Sequence, residues 1–207
     1  MRLLFFNKVA EIRPQNKRAK KEINLPTIFT HALIPIALGK TISTEKKTFR
    51  FWLAAALCSI VADADVITFA FGIEYGDFLG HRGFFHSLCF AFILSMVMAL
   101  WEFRKLQLCS KPWWKIWFFL FVVTASHGVL DTFTNGGLGI ALFSPFDKAR
   151  YFAPWTPLTV SPIGARGFFT TWGLAALASE ILWIWLPLII ALVIAKTYRK
   201  IRNVSGN

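Results

Sequence analysis

"WKIWFFLFVVTASHGVLDTF" (residues 114–133) decides the fold. Its only charged residues are Lys115 and Asp131, and its twenty positions are otherwise dominated by aromatic and aliphatic side chains. At about 1.5 Å per residue, a helix of this length spans roughly 30 Å, the thickness of a bilayer's hydrocarbon core. The stretch therefore reads as a transmembrane helix. It also carries His127 and Asp131, four residues apart. At that spacing two side chains share one helix face, so a histidine and a carboxylate there can chelate one ion.

The rest of the chain repeats the pattern. Of its 207 residues 56% are hydrophobic and 16% charged, against roughly 25% charged for a soluble domain. Further apolar blocks run over 51–72, 84–101 and 172–195. A fifth, 26–39, has 14 residues and as a helix would reach roughly 21 Å, too short to cross. The expected fold is an all-α integral membrane protein with about four transmembrane helices and one short re-entrant or interfacial apolar segment. Three scattered cysteines, Cys58, Cys89 and Cys109, with no CxxC, argue against a disulfide framework or a cysteine zinc site. The start "MRLLFFNKV" has too short an apolar core for a signal peptide.

The net charge of +12 bears on topology. With four spans, tail 1–25, loops 40–50 and 102–115 and tail 196–207 share one side and hold 19 Lys and Arg, against 4 on the other. If the short segment crosses as well, the split is 11 against 12. Positive residues collect on the cytoplasmic side. The first arrangement is therefore expected, with a polybasic cytoplasmic tail 1–25, a membrane-embedded domain 26–195 and a basic cytoplasmic tail 196–207. The stretch "RPQNKRAKK" (13–21) reads as a solvated arm near anionic headgroups, and no nucleic-acid partner is expected. Membrane lipid is the expected contact, and the sequence does not set the oligomeric state.

All four histidines, His31, His81, His86 and His127, lie in or beside apolar segments. Near them stand Asp63, Asp65, Asp131 and Glu180. The topology brings most of these groups to one level near the outer surface. His31 is the exception, because a segment entering from the cytoplasmic end would have to reach deep to join them. Asp63 and Asp65 point to opposite faces of an ideal helix, so one is structural or the helix opens there. An isolated charge at the bilayer centre costs about 2.5–3.5 kcal/mol even on a lenient scale. The charge count puts no Lys or Arg mid-span, so the carboxylates must be protonated, wet or bound to a cation. Neutral imidazoles beside carboxylates suit zinc, manganese or iron.

The blocks "LPTIFTHALIPIALG", "DADVITFAFGIEYGDFLGHRGFFHSL", "SHGVLDTFTNGGLGIALFSPFDKARYFAPWTPLTVSPIG" and "SEILWIWLP" resemble the YdjM-like family of bacterial inner-membrane proteins. The resemblance covers all but the two tails, and HRGxxHS with SHxxxD is its most specific part. It implies a metal-dependent hydrolase, LexA-regulated in some members, and carries family positions onto His31, Asp63, Asp65, His81, Arg82, His86, His127, Asp131 and Glu180. Three positions depart from the family pattern: Ala62 stands where a proline is usual, Phe85 where a small hydroxyl residue is common, and Thr156 where a basic residue is frequent. A looser similarity in metal-site design links the chain to helical zinc phospholipases C.

The function expected is hydrolysis of a phosphoester or related ester; a site opening into lipid would suit a lipid-linked substrate, and the sequence selects none. His86, His127 and Asp131 are the central metal ligands, with Asp63 or Asp65 as a fourth or bridging ligand and His31 and His81 as further candidates. A spare carboxylate, Asp63, Asp65 or Glu180, serves as general base or orients a ligand histidine, and Arg82 is an anion clamp. The expected cofactor is a divalent ion, zinc first. Lys148 and Arg150, in the outer loop, add to the case for a phosphate-bearing substrate. The competing classes are a proton- or metal-coupled transporter and a non-catalytic, metal-stabilised membrane protein. No internal repeat supports a transporter, and the polar groups are confined to one depth.

Overall fold

The computed structural model describes residues 7–8, 24–25, 28–42, 47–162 and 169–205. The basic stretch 13–21 and Arg166, both used in the charge count, lie outside them. In chain order the elements begin with two short strands, β1 (Asn7–Lys8) and β2 (Asn24–Leu25), and helix α1 (Ile28–Ile42). Helix α2 (Phe49–Ile60) runs on as a 3-10 helix over Val61–Phe71. A turn region leads to a short 3-10 turn, Phe84–His86, then α3 (Leu88–Glu102) and α4 (Lys111–Asp131). A long connection carries β3 (Tyr151–Phe152) and β4 (Ser161–Pro162). The last helix is α5 (Thr171–Glu180), a π-helical turn Ile181–Trp185 and α6 (Leu186–Ser205).

Local chemistry explains the boundaries. Thr48, Ser87, Ser110 and Thr170 cap α2, α3, α4 and α5, each side-chain oxygen accepting the backbone N–H three residues on. Gly72 ends the 3-10 stretch at φ 76°, where a side chain is strained. Pro187 has no N–H to offer the previous turn, and the π-helical turn lies immediately before it.

Among the described residues three helices are long and apolar enough to cross a membrane: Phe49–Phe71, Lys111–Asp131 and Thr171–Arg202. The fourth expected span forms as the 15-residue α3 behind its 3-10 turn. The chain is an all-α membrane protein, with its strands reduced to two-residue pairs.

The bundle is joined by interlocking stripes. Phe51, Ala54, Ala55 and Cys58 recur at helical spacing on α2 and pack against Phe119, Leu120 and Val123 of α4. The Phe51 and Phe119 rings stack with centroids 5.0 Å apart. The small side chains of Ala54 and Ala55, almost fully buried, let the two backbones approach as helices in lipid require. The same α4 stripe continues through Thr124 to His127 and Asp131, so the packing that builds the core aims both at the bundle interior.

Helix α1 resolves the difficulty with His31. Gly39, near its end, lies against the Trp52 indole at the start of α2, while His31, near its beginning, stacks on His127. The short segment thus runs antiparallel to α2, and its first turn stands in the polar layer. Its far end meets the far end of α6, where Arg199 Nη1 donates to the Lys40 carbonyl at 3.0 Å.

Strand β1 pairs with β3 and β2 with β4, so these described residues lie at the end of the bundle that holds the polar layer, and Arg199 of α6 lies at the other end. The charge count that goes with a short segment running the length of the bundle is 11 against 12, which assigns no side.

The connection after α4 folds back over the polar layer. The Ala153 and Leu158 amides donate to the Thr132 and Phe133 carbonyls, and the Ala141 amide to the Arg82 carbonyl. Buried Ile140, Leu142 and Tyr151 hold it in place. A label at Lys148, exposed on this connection, and one at Cys109, exposed in the turn between α3 and α4, therefore mark opposite ends. With each as the sole cysteine (Lys148→Cys in one variant), a membrane-impermeant maleimide should label the two from opposite faces of the membrane. Labelling of both from one face would contradict this arrangement.

Candidate metal centre

Four helical regions supply the polar layer. The switch from α-helix to 3-10 helix at Val61 settles the question of the two aspartates. A 3-10 helix turns about 120° per residue, so positions two apart are no longer opposed. Asp63 and Asp65 both face inward, 7% and 3% exposed. The helix tightens there instead of unwinding, even with Ala62 at the usual proline position.

Asp63 meets the α4 and α3 histidines: its Oδ1 is 3.2 Å from His127 Nε2 and 3.5 Å from His86 Nε2. The two Nε2 atoms stand 3.2 Å from each other. Asp131 completes the group, with Oδ2 3.6 Å from His86 Nε2. One ligand atom from each of Asp63, His86, His127 and Asp131 falls within 4.8 Å of every other. His31 adjoins the group, its ring stacked on His127 at 3.8 Å and its Nε2 3.5 Å from Asp131 Oδ1.

Asp65 faces the other side of His86. Its Oδ1 is 2.6 Å from His81 Nδ1, and its Oδ2 is 3.1 Å from His86 Nδ1 and accepts the Arg82 amide at 3.1 Å. Asp65, His81 and His86 form a second group of possible ligands. Burial holds the His81 imidazole below its ordinary pKa, against the pull of Asp65 in the other direction.

Arg82 stands at the edge of this layer, in the turn before α3. It is fully buried, with its Nε 3.5 Å from Asp131 Oδ2 and its Nη1 donating to the Gly136 carbonyl at 2.7 Å. Its backbone is left-handed, φ 62°. The flanking glycines explain the tight turn: a Cβ at Gly80 would strike the Glu74 and Tyr75 carbonyls, and one at Gly83 the Phe78 and Gly80 carbonyls.

Arg150 departs from its expected role. It is 4% exposed and donates to the backbone carbonyls of Tyr75, Asp77, His81, Arg82 and Gly139. It ties the His81–Arg82 turn to the covering connection, so headgroup and substrate phosphate lie beyond its reach. Lys148 stays exposed. Glu180 is buried but belongs to neither ligand group: its Oε2 accepts the Thr30 hydroxyl at 2.5 Å, and that hydroxyl also takes a bond from Trp185 Nε1 at 2.8 Å.

Two contributors have no sequence motif. The Ser59 carbonyl holds His127 Nδ1 at 2.7 Å. Tyr75, whose ring meets His81 edge-on at 5.2 Å, packs beneath the Arg150 guanidinium. An aromatic residue shortly before HRG was the one available signal for Tyr75.

A transmembrane helical bundle that closes a His/Asp cluster under a folded connection defines the class: an integral membrane protein with a candidate metal centre. Residues 26–203 match the model of a family described as the YdjM inner membrane protein, and the chain belongs to that family. It is 36% identical over 168 residues to the inner membrane protein YbcI of Escherichia coli strain K12, a match covering 79% of this chain and 92% of the relative. No solved structure matches.

The packing around "SHGVLD" gives a direct test. A Cβ on Gly128 would run into the His86 carbonyl oxygen. Alanine at an exposed helix position would gain about 1 kcal/mol over glycine. Here Gly128→Ala should instead destabilise by about 1–3 kcal/mol, because backbone must move. Thermal unfolding in detergent reads the sign, and a stabilised variant would contradict the close approach of α4 to the His86 turn.

Proposed function

We propose that the protein is a membrane-embedded, metal-dependent hydrolase acting on a phosphoester. One observation carries the metal: His86 Nε2, His127 Nε2 and Asp63 Oδ1 face one another in a buried space. A carbonyl only accepts, so the Ser59 oxygen at 2.7 Å keeps the proton of neutral His127 on Nδ1. The Asp65 carboxylate at 3.1 Å favours the same tautomer of His86. Both Nε2 lone pairs then face each other at 3.2 Å, with Asp63 Oδ1 3.2 Å from one of them. Lone pairs at that separation repel unless a proton or a metal cation stands between them, and a metal cation can answer all three atoms at once. Ligands about 2.1 Å from one ion in a tetrahedron lie roughly 3.4 Å apart. Four of the six separations among these atoms, at 3.2–3.6 Å, fit this spacing, and all six lie within 4.8 Å.

Charge points the same way. Asp63, Asp65 and Asp131 face this layer, and the buried guanidiniums of Arg82 and, behind the His81–Arg82 turn, Arg150 leave one negative charge over, which a bound cation offsets. Neutral imidazoles with carboxylates and no thiolate suit zinc, with manganese or iron as alternatives.

His86, His127, Asp131 and Asp63 hold the ion in this reading, so Asp63 rather than Asp65 supplies the fourth ligand. Asp65 orients: it fixes His86 and His81 through their Nδ1 atoms, as carboxylates behind metal-bound histidines do. His31 braces Asp131. The ion, when bound, polarises the ester and brings the pKa of water toward about 7.

Asp63 Oδ2 has no hydrogen-bond partner among the described residues, and it belongs to the most exposed of the four ligand residues. It takes the proton as the water oxygen attacks phosphorus. The bond from phosphorus to the leaving oxygen breaks, and that oxygen receives the proton. Arg82 Nε and Nη2 make no hydrogen bond among the described residues and form the fork that grips an oxyanion. Glu180 acts at a distance, by fixing Thr30 beside His31. Exposed Phe71, Phe146, Trp155 and Phe169 surround this end of the bundle, which suits a substrate held at a lipid surface.

Zinc content of the detergent-purified protein should be near one equivalent and fall well below it in His127→Ala plus Asp131→Ala. Asp65→Asn should weaken metal binding by roughly 10–100-fold. Against a panel of phosphoesters, carboxylic esters and amides, turnover should be confined to phosphoesters, stop with chelator and return with zinc. Full zinc occupancy in the folded double variant would remove the ligand assignment. Metal binding without turnover across the panel would leave a metal-stabilised scaffold.

A further inference from the structure

We propose that the end of the bundle opposite the metal centre carries a binding site for one anionic phospholipid. A groove of about 780 Å³ opens there between the start of α2 and the turn that follows α3. Its floor is apolar. Phe49, Leu53 and Leu57 recur every four residues down α2, so they form one stripe, and all three are exposed. Trp101 closes the other wall at 71% exposure. The stripe descends about 12 Å along the helix, from the mouth into the hydrocarbon. Apolar surface of this shape facing lipid is filled by an acyl chain.

The mouth is basic. Arg50 comes from the first turn of α2, Arg104 and Lys105 from the turn after α3. Two separate elements thus bring cations to the open end of one apolar channel. None of the three makes an ion pair among the described residues. Glu102 is the only acid in the lining. Lys111, Lys115, Lys196 and Lys200 lie outside the groove lining, so the convergence exceeds what a basic membrane edge alone would give.

A phosphodiester at the mouth with its chain along Phe49–Leu53–Leu57 satisfies both halves at once. Each basic side chain close to an anionic lipid is worth roughly fivefold in binding. The groove shares α2 with the metal layer: Asp63 follows Arg50 by thirteen residues, about 20 Å along the helix. The proposed lipid is therefore distinct from any substrate at the metal centre.

Delipidated protein titrated with dioleoyl phosphatidylglycerol or dioleoyl phosphatidylcholine, followed by native mass spectrometry, tests this. One phosphatidylglycerol should bind at least about tenfold more tightly than phosphatidylcholine. Arg50→Gln with Arg104→Gln should weaken phosphatidylglycerol roughly 20-fold and leave phosphatidylcholine unchanged. Leu53→Trp, which fills the channel, should weaken both. These side chains are on the surface, and an unchanged unfolding temperature verifies that each variant is folded. Equal affinity for the two lipids in the parent protein, or full selectivity kept in the double arginine variant, would overturn the proposal.

Discussion

The structure depends on one close group of buried imidazole and carboxylate atoms. His86 and His127 turn their Nε2 atoms toward each other, with Asp63 and Asp131 beside them, inside a bundle that leaves His86 3% exposed and His127 and Asp131 fully buried. Each unsatisfied polar group in such a place costs about 1–3 kcal/mol. A fold of ordinary stability, about 5–15 kcal/mol, cannot absorb several of them. The proposed cation would turn the same atoms from a burden into a cross-link between the α2 extension, α4 and the turn before α3.

Much of the surrounding architecture keeps that arrangement in register. The 3-10 tightening after Ile60 rotates Asp63 and Asp65 onto two sides of His86. Gly128 lets α4 come close enough for the His86 turn to touch it. Arg150 gathers five carbonyls and locks the HRG turn to the connection above it. Buried polar groups in a membrane protein have to be answered by other protein groups, and here backbone carbonyls do most of that work.

The sequence carried some of this plainly. Apolar runs near bilayer length are a strong signal, and those at 51–72, 114–133 and 172–195 correspond to helices Phe49–Phe71, Lys111–Asp131 and Thr171–Arg202. The shared face of His127 and Asp131 follows from spacing alone. The inward turn of both aspartates was not legible, because a change from α to 3-10 geometry leaves no mark in composition. The direction of α1 was hidden for another reason: a 15-residue apolar helix reads the same whether it turns back or descends, and the charge count depends on which it does. Ser59 acts through its backbone oxygen, which any residue would offer. Arg150 looked like a surface cation because its partners are carbonyls brought in from distant turns.

X-ray absorption at the zinc edge of the zinc-loaded protein addresses the central claim most directly. The account predicts a shell of about four nitrogen and oxygen neighbours near 2.0–2.1 Å, with the multiple-scattering signature of at least two imidazoles. A shell without imidazole, a sulfur neighbour, or zinc that washes out on a chelating resin would contradict it.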